Sequence, residues 1–241
     1  MPREGSKAVL ITRPREEAEE FARALEAEGV SCLIEPMLEI EPAAFEIPPL
    51  ESFQALIFTS ASALKLFAAS AAVRNMPIYV VGPNTQTMAK ELRFEDIHSA
   101  PTGAALAECI IRGVSDKTKA LLHVRGADTA FDMEGALAAA GYSTQNLVVY
   151  KAVKCEAFGE VAEAAIKGGG VVAVTFFSKR TVESFMACVE RADLGNDLNH
   201  IKALCISDSV VKCVQPEIWQ EAYAAEAPDR ASMINLIKTH A

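Results

Sequence analysis

Four hydroxyl-bearing turns and two arginines are the residues of this chain best suited to chemistry. Thr59, Ser60 and Ser62 interrupt the apolar run Ala55–Phe58, and Leu64 and Phe67 then recur at helical spacing. Gly82-Pro-Asn-Thr85 follows Ile78–Val81, Ser178 and Lys179 follow Val172–Phe177, and Ser207-Asp-Ser209 follows Ala203–Ile206. Each reads as a buried strand feeding a helix start. Free backbone N–H groups at helix starts suit anions, and the neighbouring hydroxyls add donors. The same hydroxyls also suit simple helix capping. Arg13 and Arg125 directly follow the strands Lys7–Thr12 and Ala120–Val124. A guanidinium there fits carboxylate pairing, or a local salt bridge equally well. Lys179 reads first as a solvated lysine. The four histidines (98, 123, 200, 240) form no Ser-His-Asp pattern, and His123, inside an apolar strand, reads as a core residue.

The elements that must position these groups alternate. Lys7–Thr12 is a strand, and Pro14 with Glu16, Glu17, Glu19 and Glu20 suits the start of the helix that Gly29 ends. A strand at 30–34 follows. Proline-rich residues 37–49 then forbid a helix and argue for an extended crossing segment. Strands are expected near 55–59, 78–81, 96–99, 120–124 and 144–149, with helices near 61–73, 84–93, 103–113 and 129–140. The last strands fall near 171–176, 202–206 and 221–224, and a final helix near 229–239. This gives an α/β fold of two doubly wound, parallel-sheet, flavodoxin-like domains of five strands each. Residues 1–36 and 170–241 form one domain and residues 50–150 the other. Residues 37–49 and 151–169 make a two-segment linker. Ligands bind beyond the carboxyl ends of such strands, so both domains should present their polar turns to a shared cleft.

An internal duplication supports two similar domains. Aligned without gaps, Phe58, Ser60, Leu64 and Phe67 fall on Phe176, Ser178, Val182 and Phe185. Ile78–Met88 then corresponds to Ala203–Cys213, and Ala100–Leu106 to Ala227–Met233. The period is too long for a solenoid.

Composition excludes several classes. The chain has 241 residues, enough for two domains, and 51% hydrophobic residues, enough for two cores. Its net charge is -9 and it has no basic run, which argues against nucleic-acid partners. The six cysteines show no metal or redox spacing and read as reduced thiols in a cytoplasmic protein. Val9–Ile11 is too short for a signal core, and no apolar run matches a membrane span. Gly82-Pro-Asn is not a dinucleotide-binding turn.

The segments Leu10–Pro14, Ile57–Ser60, Val80–Thr85, Val124–Gly126, Val149–Tyr150 and Thr175–Ser178, in this order and spacing, resemble the uroporphyrinogen-III synthase family. The resemblance covers essentially the whole chain. It implies a cofactor-free and metal-free enzyme that cyclises the linear tetrapyrrole hydroxymethylbilane. Water is lost, the terminal pyrrole is inverted through a spiro intermediate, and the macrocycle closes. It implies Tyr150 as the catalytic residue, a phenol donating to the leaving hydroxyl. The same position suits a linker tyrosine that packs its ring. It further implies substrate contacts at Arg13, Thr59, Ser60, Gly82, Thr85, Arg125, Gly126, Ser178, Lys179 and Ser209. The expected protein is a monomer that receives its substrate from hydroxymethylbilane synthase. Ser207–Val210 departs from the family's Gly-Thr-Thr turn, and Ala127–Phe131 lacks the basic residue often found after Gly126. The competing reading is a non-catalytic tetrapyrrole or small-anion binder of the same fold. A periplasmic-type solute-binding protein is a third reading, opposed by the absent signal segment.

Overall fold

The computed structural model describes residues 7–241. The chain divides into two compact units, one made from the described residues through Glu39 plus Val153–Ala241, the other from Ile40–Ala152.

The first unit holds a five-stranded sheet: β1 (Ala8–Ile11), β2 (Cys32–Ile34), β9 (Val171–Phe176), β10 (Lys202–Cys205) and β11 (Glu221–Ala224). Their spatial order is β11-β10-β9-β1-β2, and every pairing is parallel. The helices α1 (Arg15–Ala27), α6 (Glu160–Lys167), α7 (Lys179–Ala192), α8 (Asp208–Val211) and α9 (Arg230–His240) cover it. Counted along this unit, the order is 2-1-3-4-5, that of flavodoxin.

The second unit has strands β4 (Phe53–Phe58), β5 (Ile78–Val81), β6 (Ile97–Ala100), β7 (Ala120–Gly126) and β8 (Thr144–Lys154), with β3 (Leu38–Pro42) at one edge. The order is β3-β8-β7-β4-β5-β6. Its helices are α2 (Ala61–Ser70), α3 (Gly82–Glu91), α4 (Gly103–Gly113) and α5 (Met133–Ala139). Replacing β9, β10, β11, β1 and β2 by β4, β5, β6, β7 and β8 turns one neighbour order into the other. The two sheets are circular permutations of one design. The first unit begins with the two strands that the second unit makes last.

The cores repeat the same contact. Phe58 and Phe67 meet edge-on at 5.5 Å in the second unit, and Phe176 and Phe185 meet at 5.3 Å in the first. All four side chains are fully buried. Such pairs add about 0.5–1.5 kcal/mol beyond area burial. The residues aligned by the duplication therefore fill the same position in each core.

Three features differ from the sequence reading. The second sheet has six strands rather than five, because the proline-rich segment supplies β3. Ala43 N–H donates to the Val149 carbonyl at 3.0 Å and Cys155 N–H to the Met37 carbonyl at 3.2 Å, so β3 runs antiparallel to β8. Proline is tolerated there because an edge strand leaves half its amides unpaired. Within 151–169, read as linker, the structure places the end of β8 and all of α6. Phe158, Ala162 and Ile166 bury one stripe of that segment in the first unit's core. Finally, β8 does not stop at 149 but continues to Lys154, so Tyr150 lies inside the strand rather than at its end.

Candidate functional site

In each sheet the winding direction reverses between two central strands: β1 and β9 in the first unit, β7 and β4 in the second. Side chains at the carboxyl ends of these strands meet at the reversal point, where doubly wound sheets bind ligands.

In the second unit this edge carries a connected polar group. The Tyr150 hydroxyl donates to Ser60 Oγ at 3.0 Å. Ser60 is also the N-cap of α2, accepting from Ala63 N–H at 3.2 Å. Its oxygen therefore holds the phenol and the helix start at once. The pairing of β7 with β8 slips by one residue between Arg125 and Gly126, which sets Tyr150 opposite Gly126. Such an irregularity re-aims a side chain. The tyrosine ring lies directly on that glycine, since a Cβ at Gly126 would be 2.5 Å from Tyr150 Cζ. Gly126 thus makes room for the ring, a role that its type alone did not distinguish from ligand approach. Ala127 N–H closes the arrangement by donating to the Tyr150 carbonyl at 2.8 Å.

Arg125 is half-buried and faces its own chain. Its guanidinium donates to the carbonyls of Gly126 at 3.0 Å and Ala127 at 2.9 Å, and its Nε donates to Asn146 Oδ1 at 3.2 Å. Asn146 Nδ2 in turn donates to Glu134 Oε2 at 2.5 Å. Next to it, His123 is almost fully buried, its Nε2 3.4 Å from Thr59 Oγ1. Burial, then the Arg125 charge, push its pKa down to about 4, against a hydrogen bond with Asn146. The imidazole is neutral at pH 7. It is buried as the sequence suggested, but it touches the site's Thr59. Gly82 opens α3 with φ +82°, and Thr85 is buried in that helix. Both lie at the end of the neighbouring strand β5.

The corresponding edge of the first unit is built differently. Two buried threonines cross-link its central strands: Thr12 Oγ1 donates to the Thr175 carbonyl, and Thr175 Oγ1 to the Leu10 carbonyl at 3.2 Å. Arg13 pairs with Glu17 one turn along α1 and lies over the Phe177 ring at 4.3 Å. Ser178 caps α7, accepting from Thr181 N–H at 3.2 Å. Lys179 is exposed and 3.8 Å from Glu183. Ser209 is exposed, its hydroxyl 2.8 Å from that of Ser207.

The structure brings Thr59, Ser60, Arg125, Gly126 and Tyr150 together in the second unit, and Arg13 and Ser178 to one edge of the first. Sequence reasoning missed Asn146 and Glu134. Their only signal is register, since Asn146 pairs with His123 across the sheet. Among the described residues no group of three or more His, Cys, Asp or Glu side chains is arranged to hold a metal ion. No helix among them is long and apolar enough to cross a membrane.

A family model for uroporphyrinogen-III synthase HemD matches residues 19–235, most of the chain. The chain belongs to the uroporphyrinogen-III synthase family. A curated uroporphyrinogen-III synthase from Chlorobaculum parvum is 40% identical over 62 residues, a quarter of each sequence (25% of this chain and 25% of the relative). The crystal structure of uroporphyrinogen-III synthetase from Helicobacter pylori aligns over 97% of this chain and 99% of that one, with a TM-score of 0.63 at 16% identity. A mutant uroporphyrinogen III synthase from Thermus thermophilus aligns over 98% of each chain, with a TM-score of 0.53 at 17% identity. These two structures share the fold.

Proposed function

We propose that this chain cyclises hydroxymethylbilane to uroporphyrinogen III, with Tyr150 as the catalytic residue. Family membership supports the reaction. The observation that carries the assignment to Tyr150 is its hydroxyl, bonded to Ser60 at 3.0 Å at the carboxyl edge of the central strands. The reaction begins by loss of the substrate's terminal hydroxyl. A pyrrole nitrogen pushes electron density toward that carbon, and the departing oxygen takes a proton and leaves as water. A phenol donating a hydrogen bond to this oxygen assists the step. An ordinary phenol, with pKa ≈ 10, is a mild acid, so its contribution is modest. Holding the bilane with its ends together supplies the rest, because ring inversion must outpace direct closure. The substrate is polyanionic and the chain is itself acidic, so recognition must be local. The first-turn N–H groups of α2 and α7 and the arginine Arg13 are suited to carboxylates.

The chain works as a cytoplasmic monomer supplied by hydroxymethylbilane synthase. Among the described residues, each unit exposes a single large hydrophobic side chain, Ile111 in one and Val161 in the other, so neither unit carries a broad apolar patch of its own. Burial pushes the Cys32 and Cys205 thiols up to about 12, which keeps them protonated and inert, as a reducing compartment favours.

The test generates hydroxymethylbilane in situ with and without the protein, oxidises the products and separates isomers I and III. Isomer III that appears only with the protein establishes the activity. Isomer I alone refutes it, and a titration with uroporphyrinogen III then asks whether the chain is a binder of the same fold.

A further inference from the structure

We infer that Arg125, Asn146 and Glu134 form a relay that positions Tyr150, and that Arg125 does not bind a substrate carboxylate. The inference rests on the reading of Tyr150 as the proton donor.

The geometry runs in one direction. The Tyr150 ring sits on Gly126, and its carbonyl accepts from Ala127 N–H at 2.8 Å. Both contacts depend on the turn at 126–127. Arg125 holds that turn by donating to its two carbonyls, at 3.0 and 2.9 Å. Nη1 and Nε thereby give their N–H groups to partners on the same chain, which ties the guanidinium to the turn. Asn146 then fixes the guanidinium through Nε at 3.2 Å, and Glu134 fixes Asn146 at 2.5 Å. The amide can point only one way. Arginine only donates and an ionised carboxylate only accepts, so Oδ1 must face Arg125 and Nδ2 must face Glu134. Each link therefore restricts the next, from an exposed carboxylate on α5 to a phenol. The relay uses three elements of the second unit: helix α5, strand β8 and the end of strand β7.

A substrate-binding arginine and a positioning arginine predict different kinetics. Misplacing a reacting group raises the barrier and leaves binding alone, whereas losing a carboxylate contact weakens binding. The experiment compares Asn146→Ala, Glu134→Ala, Glu134→Gln and Tyr150→Phe, alone and combined, in the isomer III assay. Asn146→Ala should lower kcat roughly tenfold and Glu134→Ala about threefold, with KM within about twofold of the parent. Glu134→Gln keeps an acceptor and should restore the rate. In a Tyr150→Phe background Asn146→Ala should cost little more, because both act through one hydroxyl. Glu134 is exposed, so its replacement tests the relay without threatening the fold. A rise in KM with kcat unchanged, or an undiminished Asn146→Ala effect in the Tyr150→Phe background, overturns the relay. Unchanged kcat in Tyr150→Phe overturns instead the role given to Tyr150. Ring signals of labelled Tyr150 keep the two failures apart. They should shift in Asn146→Ala whatever the activity, and an unmoved ring also overturns the relay.

Discussion

The two sheets share a strand arrangement and an edge-on pair of core phenylalanines, yet their functional edges use polar residues for different ends. In the first unit the buried hydroxyls of Thr12 and Thr175 tie β1 to β9, and Arg13 is held by Glu17 and Phe177. In the second unit the buried threonines give way to Val124 and Ile57, and Arg125, Asn146, Glu134, Ser60 and Tyr150 supply the polar contacts instead. Duplication supplied two equal scaffolds. One edge was spent on fastening its central strands, and the other holds a reactive group.

The comparison breaks most severely at Gly126, where only the second unit needs a glycine. Gly126→Ala puts a methyl group into the Tyr150 ring. It should lower kcat about a hundredfold or more, at least matching Tyr150→Phe, because the whole ring moves. Steady-state kinetics of both variants checks the order. Next comes acid stability. His123 has a folded pKa of about 4 against about 6.5 unfolded, so the unfolded chain binds the extra proton. Its contribution is fully present above pH 6.5 and is lost as pH falls toward 4. The full loss is on the order of 3 kcal/mol. Denaturant unfolding at a series of pH values should show this slope, and His123→Gln should flatten it. Thr175→Val tests the fastening role of the first edge. It should cost about 1 kcal/mol of stability and leave kcat unchanged per folded molecule, which thermal unfolding and kinetics read separately. The smallest effect is expected at Lys179. Its pair with Glu183 is exposed, so Lys179→Ala should shift stability by less than about 0.5 kcal/mol and leave KM unaltered. A several-fold rise in KM would instead place this lysine against substrate.

Much of this was legible from residue types. Short apolar runs ending in hydroxyls located the strands, and Ser60, Thr102, Ser178 and Asp229 cap the helices they precede. The duplication foretold the equivalent phenylalanines. The strand β3 was hidden because prolines at 36 and 42 mask a short edge strand. Helix α6 was readable after all, from Phe158, Ala162 and Ile166 at intervals of one helical turn, but three glycines after it suggested a loose connection. The site was less legible, for a physical reason. A sequence shows that Arg125 follows a strand, not that its donors turn back onto carbonyls. It shows a glycine at 126, not a one-residue slip that lays a ring across it. Those depend on pairing between strands, which local pattern does not encode.

The permuted chain path also bears on how the protein is made. The second unit is one continuous stretch, and all the strands of its sheet are made once Lys154 has left the ribosome. The first unit cannot close then. Thr12 must wait for Thr175, 163 residues later, and for β10 and β11 after that. At about 5–20 residues per second, the apolar strand β1 lacks its second neighbour, β9, for many seconds after it emerges. A nascent chain halted before β9 would therefore carry a finished second unit and an exposed β1–α1–β2 fragment. That fragment is where a chaperone would be needed most.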